Sequence, residues 1–186
     1  MVSPPAQPPR RRSDALRNRT RILAAAREVL ADRATEVSMA EVARRAGVGM
    51  ATLYRNFPGR RELLETLFAQ EVDELCQAAS EVSGRPGEAL ISWLRCFAVF
   101  YDNKHPIAAE LLRHTDAADL VFGSSRDRVL AAGAPLLLAA QQAHEVIDGL
   151  NLDQVLDLVL AATTIPGDRA YVEPILETAL DGLRAR

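Results

Sequence analysis

At 186 residues with 48% apolar content, the chain has room for one large domain or two small ones and is too apolar to be disordered over most of its length. No apolar run approaches the roughly 18–20 residues of a membrane span, positions 1–14 lack the apolar core of a signal peptide, and Cys76 and Cys96 are too few for a disulfide scaffold. The net charge of −3 conceals a split: residues 1–61 hold thirteen Arg against five acids (+8), and residues 62–186 hold nine Lys or Arg against twenty acids (−11). An acidic protein with a basic first third reads as a polyanion-binding module joined to a domain that avoids the polyanion. Aromatic residues are 5% of the chain, while Ala, Leu, Arg and Glu dominate, which favours an all-α protein, and the two cysteines make a reducing cytoplasm the default expectation.

Residues 1–14 contain four prolines and the triplet Arg10-Arg11-Arg12. This stretch is expected to be a flexible basic arm, either a plain tail or one that contacts phosphates. The first helix is predicted from Leu16 or Asn18 to about Arg33, because Ile22, Ala26, Val29, Leu30 and Arg33 share one helical face. A loop over 34–37 leads to the central motif at 38–57, SMAEVARRAGVGMATLYRNF. Ser38 precedes Glu41 by three residues, the spacing of a capping box. Val42, Ala43 and Ala46 make a small apolar stripe, and Gly47 is suited to end the helix in the left-handed conformation.

A second short helix is predicted from about Gly49 to Phe57. At about 100° per residue, Leu53 and Phe57 face inward and Ala51, Thr52 and Arg55 face outward. So short a helix needs docking to persist, and its small cationic outer face suits a DNA major groove. Thr52 and Arg55 can hydrogen-bond bases or phosphates, Met50 and Ala51 offer apolar contact, and the Tyr54 hydroxyl suits a phosphate. Asn56 can serve either backbone or base.

Pro58-Gly59 stops that helix, and Arg60 opens a long one to about Val82, with Leu63, Leu64, Leu67, Phe68, Val72, Leu75 and Ala79 inward. Beyond the break at 83–87, five helices are predicted: Glu88 to Asn103, a restart at His105-Pro106 through His114, Ser124 as cap to Val146 with a kink at Gly133 and Pro135, Leu152 to Thr163, and Ala170 to Leu183. His105, His114 and His144 lack metal-ligand spacing, no nucleophile elbow or phosphate loop appears, and no metal, cofactor or enzymatic activity is expected. Cys76 and Cys96 read as buried thiols or as a redox pair.

The segment from Thr20 to Leu64 resembles the DNA-binding domain of the TetR family of transcriptional regulators, most specifically in AGVGMATLYRNFPGRRELL, residues Ala46 to Leu64. Met50 departs from the pattern, since relatives often carry a polar residue there. The resemblance implies that Arg60 is a basic phosphate anchor and that Ser38 sits at a phosphate-facing helix start. It makes Arg19 and Thr20 phosphate contacts, against the alternative of a solvated charged face. It also implies an inducer cavity in the second domain, for which Trp93, Phe97, Phe100, Tyr101 and His114 are guesses; the rival reading of the aromatics is plain core.

The expected layout is therefore an arm at 1–14, a three-helix helix-turn-helix DNA-binding domain at 15–75 and an effector-binding, dimerising helical bundle at 76–186. The last two helices carry apolar residues on more than one side, Val155, Leu156, Leu158, Val159 and Leu160, then Ile175, Leu176, Leu180 and Leu183, as a homodimer interface would need. The expected function is a repressor that binds double-stranded DNA at a palindromic operator as a homodimer and is released by a small-molecule effector. The alternative is a helical-bundle ligand-binding protein or enzyme that does not read DNA.

Overall fold

The computed structural model describes residues 10–31, 38–114 and 118–185, the side chains of 10–13, 31, 103–106, 108–114 and 118–122 excepted. Among the described residues there are eight helices: α1 Arg10–Ala31, α2 Met39–Ala46, α3 Met50–Asn56, α4 Arg60–Glu81, α5 Pro86–His114, α6 Ala118–Gln142, α7 Leu152–Thr163 and α8 Arg169–Asp181. The chain divides into two compact units, Met1–Leu67 and Phe68–Arg186. Both this division and the predicted boundary at 75 fall within α4.

In the first unit α1, α2 and α3 pack on one another. The core takes Ile22, Leu23, Ala26 and Val29 from α1, Val42, Ala43 and Ala46 from α2, Leu53 and Phe57 from α3 and its C-cap, and Leu63, Leu64 and Leu67 from α4. Burying the Leu53 side chain alone stabilises the unit by roughly 2–3 kcal/mol, which is what lets a seven-residue helix persist. α1 begins at Arg10, so Arg10 to Asp14 are helical rather than part of an arm. Met1 to Pro9, the predicted end of α1 at Arg33 and the loop at 34–37 lie outside the described residues.

In the second unit α5 packs on α6 and α7, α6 on α7, and α7 on α8. Two expectations are corrected. The predicted pair of helices on either side of His105-Pro106 is one helix, α5, of 29 residues. A proline removes one backbone donor, and a helix whose flanking turns are held by Phe97, Phe100 and Ile107 in the core carries that loss. Ser124 lies inside α6 and is not its cap. Gly133 serves a close approach: a Cβ there would stand 2.2 Å from Trp93 Cη2 and 2.4 Å from Cζ3. Trp93 is fully buried, and its indole N–H donates to the Leu75 carbonyl at 3.2 Å.

Two local devices escaped the sequence reading. Asn151 and Gln154 form a reciprocal capping box at the start of α7, both bonds 2.9 Å. Between α6 and α7, Val146 pairs with Arg184 in an isolated antiparallel bridge, where Ile147 N–H donates to the Leu183 carbonyl and Ala185 N–H to that of Glu145. Glu145 also accepts from Gly87 N–H at 2.8 Å and from Arg85, capping α5 from across the unit. These bonds hold its carboxyl below the ordinary range, the Gly87 amide first among the causes.

Candidate nucleic-acid interface

The turn between α2 and α3 is built as the sequence implied. Gly47 takes φ 61°, ψ 40°; its N–H donates to Arg44 and Val48 N–H to Ala43, at 3.2 and 3.0 Å, the paired bonds of a Schellman ending. The predicted capping box at Ser38 does not form. The Ser38 carbonyl accepts from Val42 N–H at 3.0 Å, but its side chain makes no cap bond. Glu41 turns instead to two guanidinium groups, accepting from Arg44 Nε and Nη2 and from Arg45 Nε, all at 2.7 Å. One turn of helix brings both arginines to the carboxylate, and a charge-assisted pair outcompetes a bond to a neutral amide. The Glu41 carboxyl is held down at about 2, by Arg44 first and then Arg45.

On α3, Leu53 and Phe57 are buried, and Met50, Ala51, Tyr54 and Arg55 are exposed. Thr52 and Asn56 are half-buried. The Asn56 amide donates to the Thr52 carbonyl at 2.8 Å, folding back on its own helix. Arg55 makes no hydrogen bond or ion pair among the described residues, so its guanidinium is unspent. Ser38 is exposed and Arg60, which opens α4, is half-buried. The predicted contact residues therefore cluster on the helix-turn-helix and the start of α4.

α1 contributes more than a packing face. Arg19 lies over the Phe57 ring at 4.4 Å from its centre. It donates to the Asn56 carbonyl at 3.2 Å and to Thr66 Oγ1 at 3.4 Å. Arg21 donates to the Gly47 carbonyl at 3.4 Å, and the Thr20 hydroxyl to the Leu16 carbonyl at 3.1 Å. Sequence reasoning overlooked these inward roles. The signal was present: one turn back from Ile22 and Leu23, the core stripe of α1 runs through Arg19.

In the second unit, Trp93 and Phe97 are buried, with ring centres 6.4 Å apart, and Phe100 continues the run to Phe68. Tyr101 is half-buried, and the side chain of His114 lies outside the described residues. Phe100 also lines an open groove of about 390 Å³ with Leu75, Ala78, Cys96, Val99 and Glu71. The cysteines are both free; Cys76 is half-buried, while Cys96 is exposed and is not the buried thiol expected. Among the described residues no cluster of ligands suits a metal ion, and no helix is long and apolar enough to cross a membrane.

Residues 22–67 match the family model for bacterial regulatory proteins of the tetR family, and residues 85–185 match that for the C-terminal domain of SbtR-like transcriptional regulators. The chain matches no curated protein. Among solved structures it is similar to a TetR transcriptional regulator from Streptomyces coelicolor, with 33% identity, TM-score 0.71, and coverage of 90% of this chain and 98% of that one. It is also similar to a TetR regulatory protein from Mycobacterium vanbaalenii, with 28% identity, TM-score 0.76, and coverage of 94% and 99%.

Proposed function

Because the chain belongs to the TetR family of bacterial regulatory proteins, and is thus a DNA-binding transcription regulator and not an enzyme, we propose that it is a cytoplasmic homodimeric repressor that reads a two-fold symmetric operator with α3. The observation that carries the reading is the outer face of α3: a seven-residue helix anchored by Leu53 and Phe57 that leaves Arg55 exposed and without an ion pair among the described residues. Arg55 and Thr52 read base edges, and Met50 and Ala51 add apolar contact. Tyr54, Arg60 and the exposed Ser38 bind phosphates, while Asn56 braces its own helix. One such helix covers too few base pairs for specificity, so two copies set about 34–36 Å apart read a palindrome. The exposed Leu158 and Tyr171, on α7 and α8, support these two helices as the dimer face.

A small-molecule effector bound by the second domain prefers the released state, since only differential affinity shifts such an equilibrium. α4, unbroken from Arg60 to Glu81, is the covalent route for that shift. Selection of duplexes from a random pool by the purified protein tests the reading, and a two-fold symmetric winner is expected. Arg55→Ala should relax sequence preference, and Arg60→Ala should weaken binding to all sequences alike. Equal binding of selected and random duplexes by the parent protein overturns it.

A further inference from the structure

We infer that Arg19 is a positioning residue that sets the recognition helix against its domain, rather than a residue that binds DNA phosphate. Its guanidinium is used on three sides. One nitrogen caps the C-terminal end of α3 at the Asn56 carbonyl, a second reaches Thr66 Oγ1 on α4, and the plane covers the Phe57 ring. The Thr66 hydroxyl is fixed for this, since it donates to the Glu62 carbonyl at 2.7 Å and so presents a lone pair to Arg19.

The physical need is evident from α3 itself. A helix of seven residues has no side-chain bond at its N-cap, Gly49, and its last carbonyls have no partners within the helix. A cation at that end satisfies one of them and complements the helix dipole. The planar fork of Arg meets two acceptors and a ring face at once, which the point charge of Lys cannot. Arg21, seated on the Gly47 carbonyl two residues along α1, braces the turn at the other end of α3. α1 thus grips the recognition helix at both ends, and the angle at which Arg55 and Thr52 meet a base edge depends on that grip.

The inference rests on α3 being the reading helix, which Arg55→Ala tests separately. Full-length parent, Arg19→Lys, Arg19→Ala and Thr66→Val are titrated at several salt concentrations with a duplex selected by the parent from a random pool and with a random duplex of equal length. A positioning role makes Arg19→Lys behave like Arg19→Ala: the ratio of selected to random affinity falls about tenfold or more, while the salt dependence on the random duplex stays that of the parent. Thr66→Val, which removes an acceptor and no charge, lowers the ratio in the same direction by less. The inference is overturned if Arg19→Lys matches the parent while Arg19→Ala weakens both duplexes alike and flattens the salt slope by about one. It is overturned equally if Arg55→Ala leaves the preference intact. Circular dichroism of each variant checks folding; should Arg19→Ala lose its helicity, Arg19→Lys and Thr66→Val decide the matter.

Discussion

The two units use arginine differently. In the acidic second unit every arginine with a described side chain pairs with a carboxylate: Arg85 with Glu145, Arg95 with Glu177, Arg126 with Asp153 and Asp157, Arg128 with Asp73, Arg169 with Glu173 and Arg184 with Asp181. In the basic first unit Arg17, Arg44, Arg45 and Arg61 also pair with carboxylates, but Arg19 and Arg21 are spent on backbone carbonyls, and Arg55 makes no ion pair among the described residues. Exposed ion pairs contribute little to stability, about 0–1 kcal/mol each. Their value in the second unit is to remove cations that would draw that unit toward a polyanion, while the first unit keeps its positive charge for one.

The cores differ as well, and the largest effects are expected there. The second unit is built on long helices pressed together at Trp93 and Gly133. Trp93→Ala removes its largest fully buried side chain and should cost about 3–5 kcal/mol. Gly133→Ala drives a methyl into a rigid buried ring and should cost about 1–3 kcal/mol. Trp93→Phe removes the two ring atoms that crowd position 133, so Gly133→Ala should cost less in that background. Urea denaturation followed by circular dichroism measures all three; additive costs would mean that the contact does not govern the α5–α6 packing.

A glycine in the first unit sharpens the contrast. Gly47 is held at φ 61°, and a Cβ there would meet only the tip of Arg21, at 2.6 Å from Nη2. A flexible side chain moves aside where an indole cannot, so Gly47→Ala should cost chiefly the left-handed backbone strain, about 1–2 kcal/mol. Displacing Arg21 should also lower selectivity for the operator more than stability alone explains. A thermal melt beside a selected-to-random binding ratio separates the two effects. An unchanged ratio would show that the turn needs no brace from α1.

What was legible in the sequence followed from local rules. The inward pair Leu53 and Phe57, the left-handed Gly47, the outward Arg55 and the extent of α4 and α7 all obey helical periodicity and cap chemistry. What was not legible depended on partners distant in sequence. Nothing near Pro106 says that α5 continues through it, because the support is tertiary. Glu41 was read as a capping residue because Ser38 stands at the right spacing, yet Arg44 and Arg45 compete for the same carboxylate and win on charge. Arg19 was read as outward because arginine is usually exposed; its place on the core stripe of α1 was the better guide. On the candidate interface, residue type gave the exposed face of α3, but the grip that orients it comes from contacts 37 and 47 residues away.

The smallest expected effect lies where the two charge patterns mirror each other. In the second unit one arginine, Arg126, serves two acids; in the first, one acid, Glu41, serves two arginines. The Glu41 carboxyl lies at about 2 in the folded protein against an ordinary 4.5. A depressed carboxyl favours the folded state fully above the ordinary value and loses that contribution as pH falls through the folded one. The stability difference between the parent and Glu41→Gln should therefore be constant from neutral pH to about 4.5, shrink between 4.5 and 2, and vanish below. Because the pair is exposed and spans one turn of α2, the difference at neutral pH should be the smallest of those predicted here. A pH-independent difference in chemical denaturation would mean that Glu41 acts through packing and not charge. The same substitution removes the carboxylate that Arg44 and Arg45 share, so binding to a random duplex should tighten and its salt dependence steepen. The first unit holds its positive charge partly in check through Glu41, and removing that check should trade selectivity for general affinity.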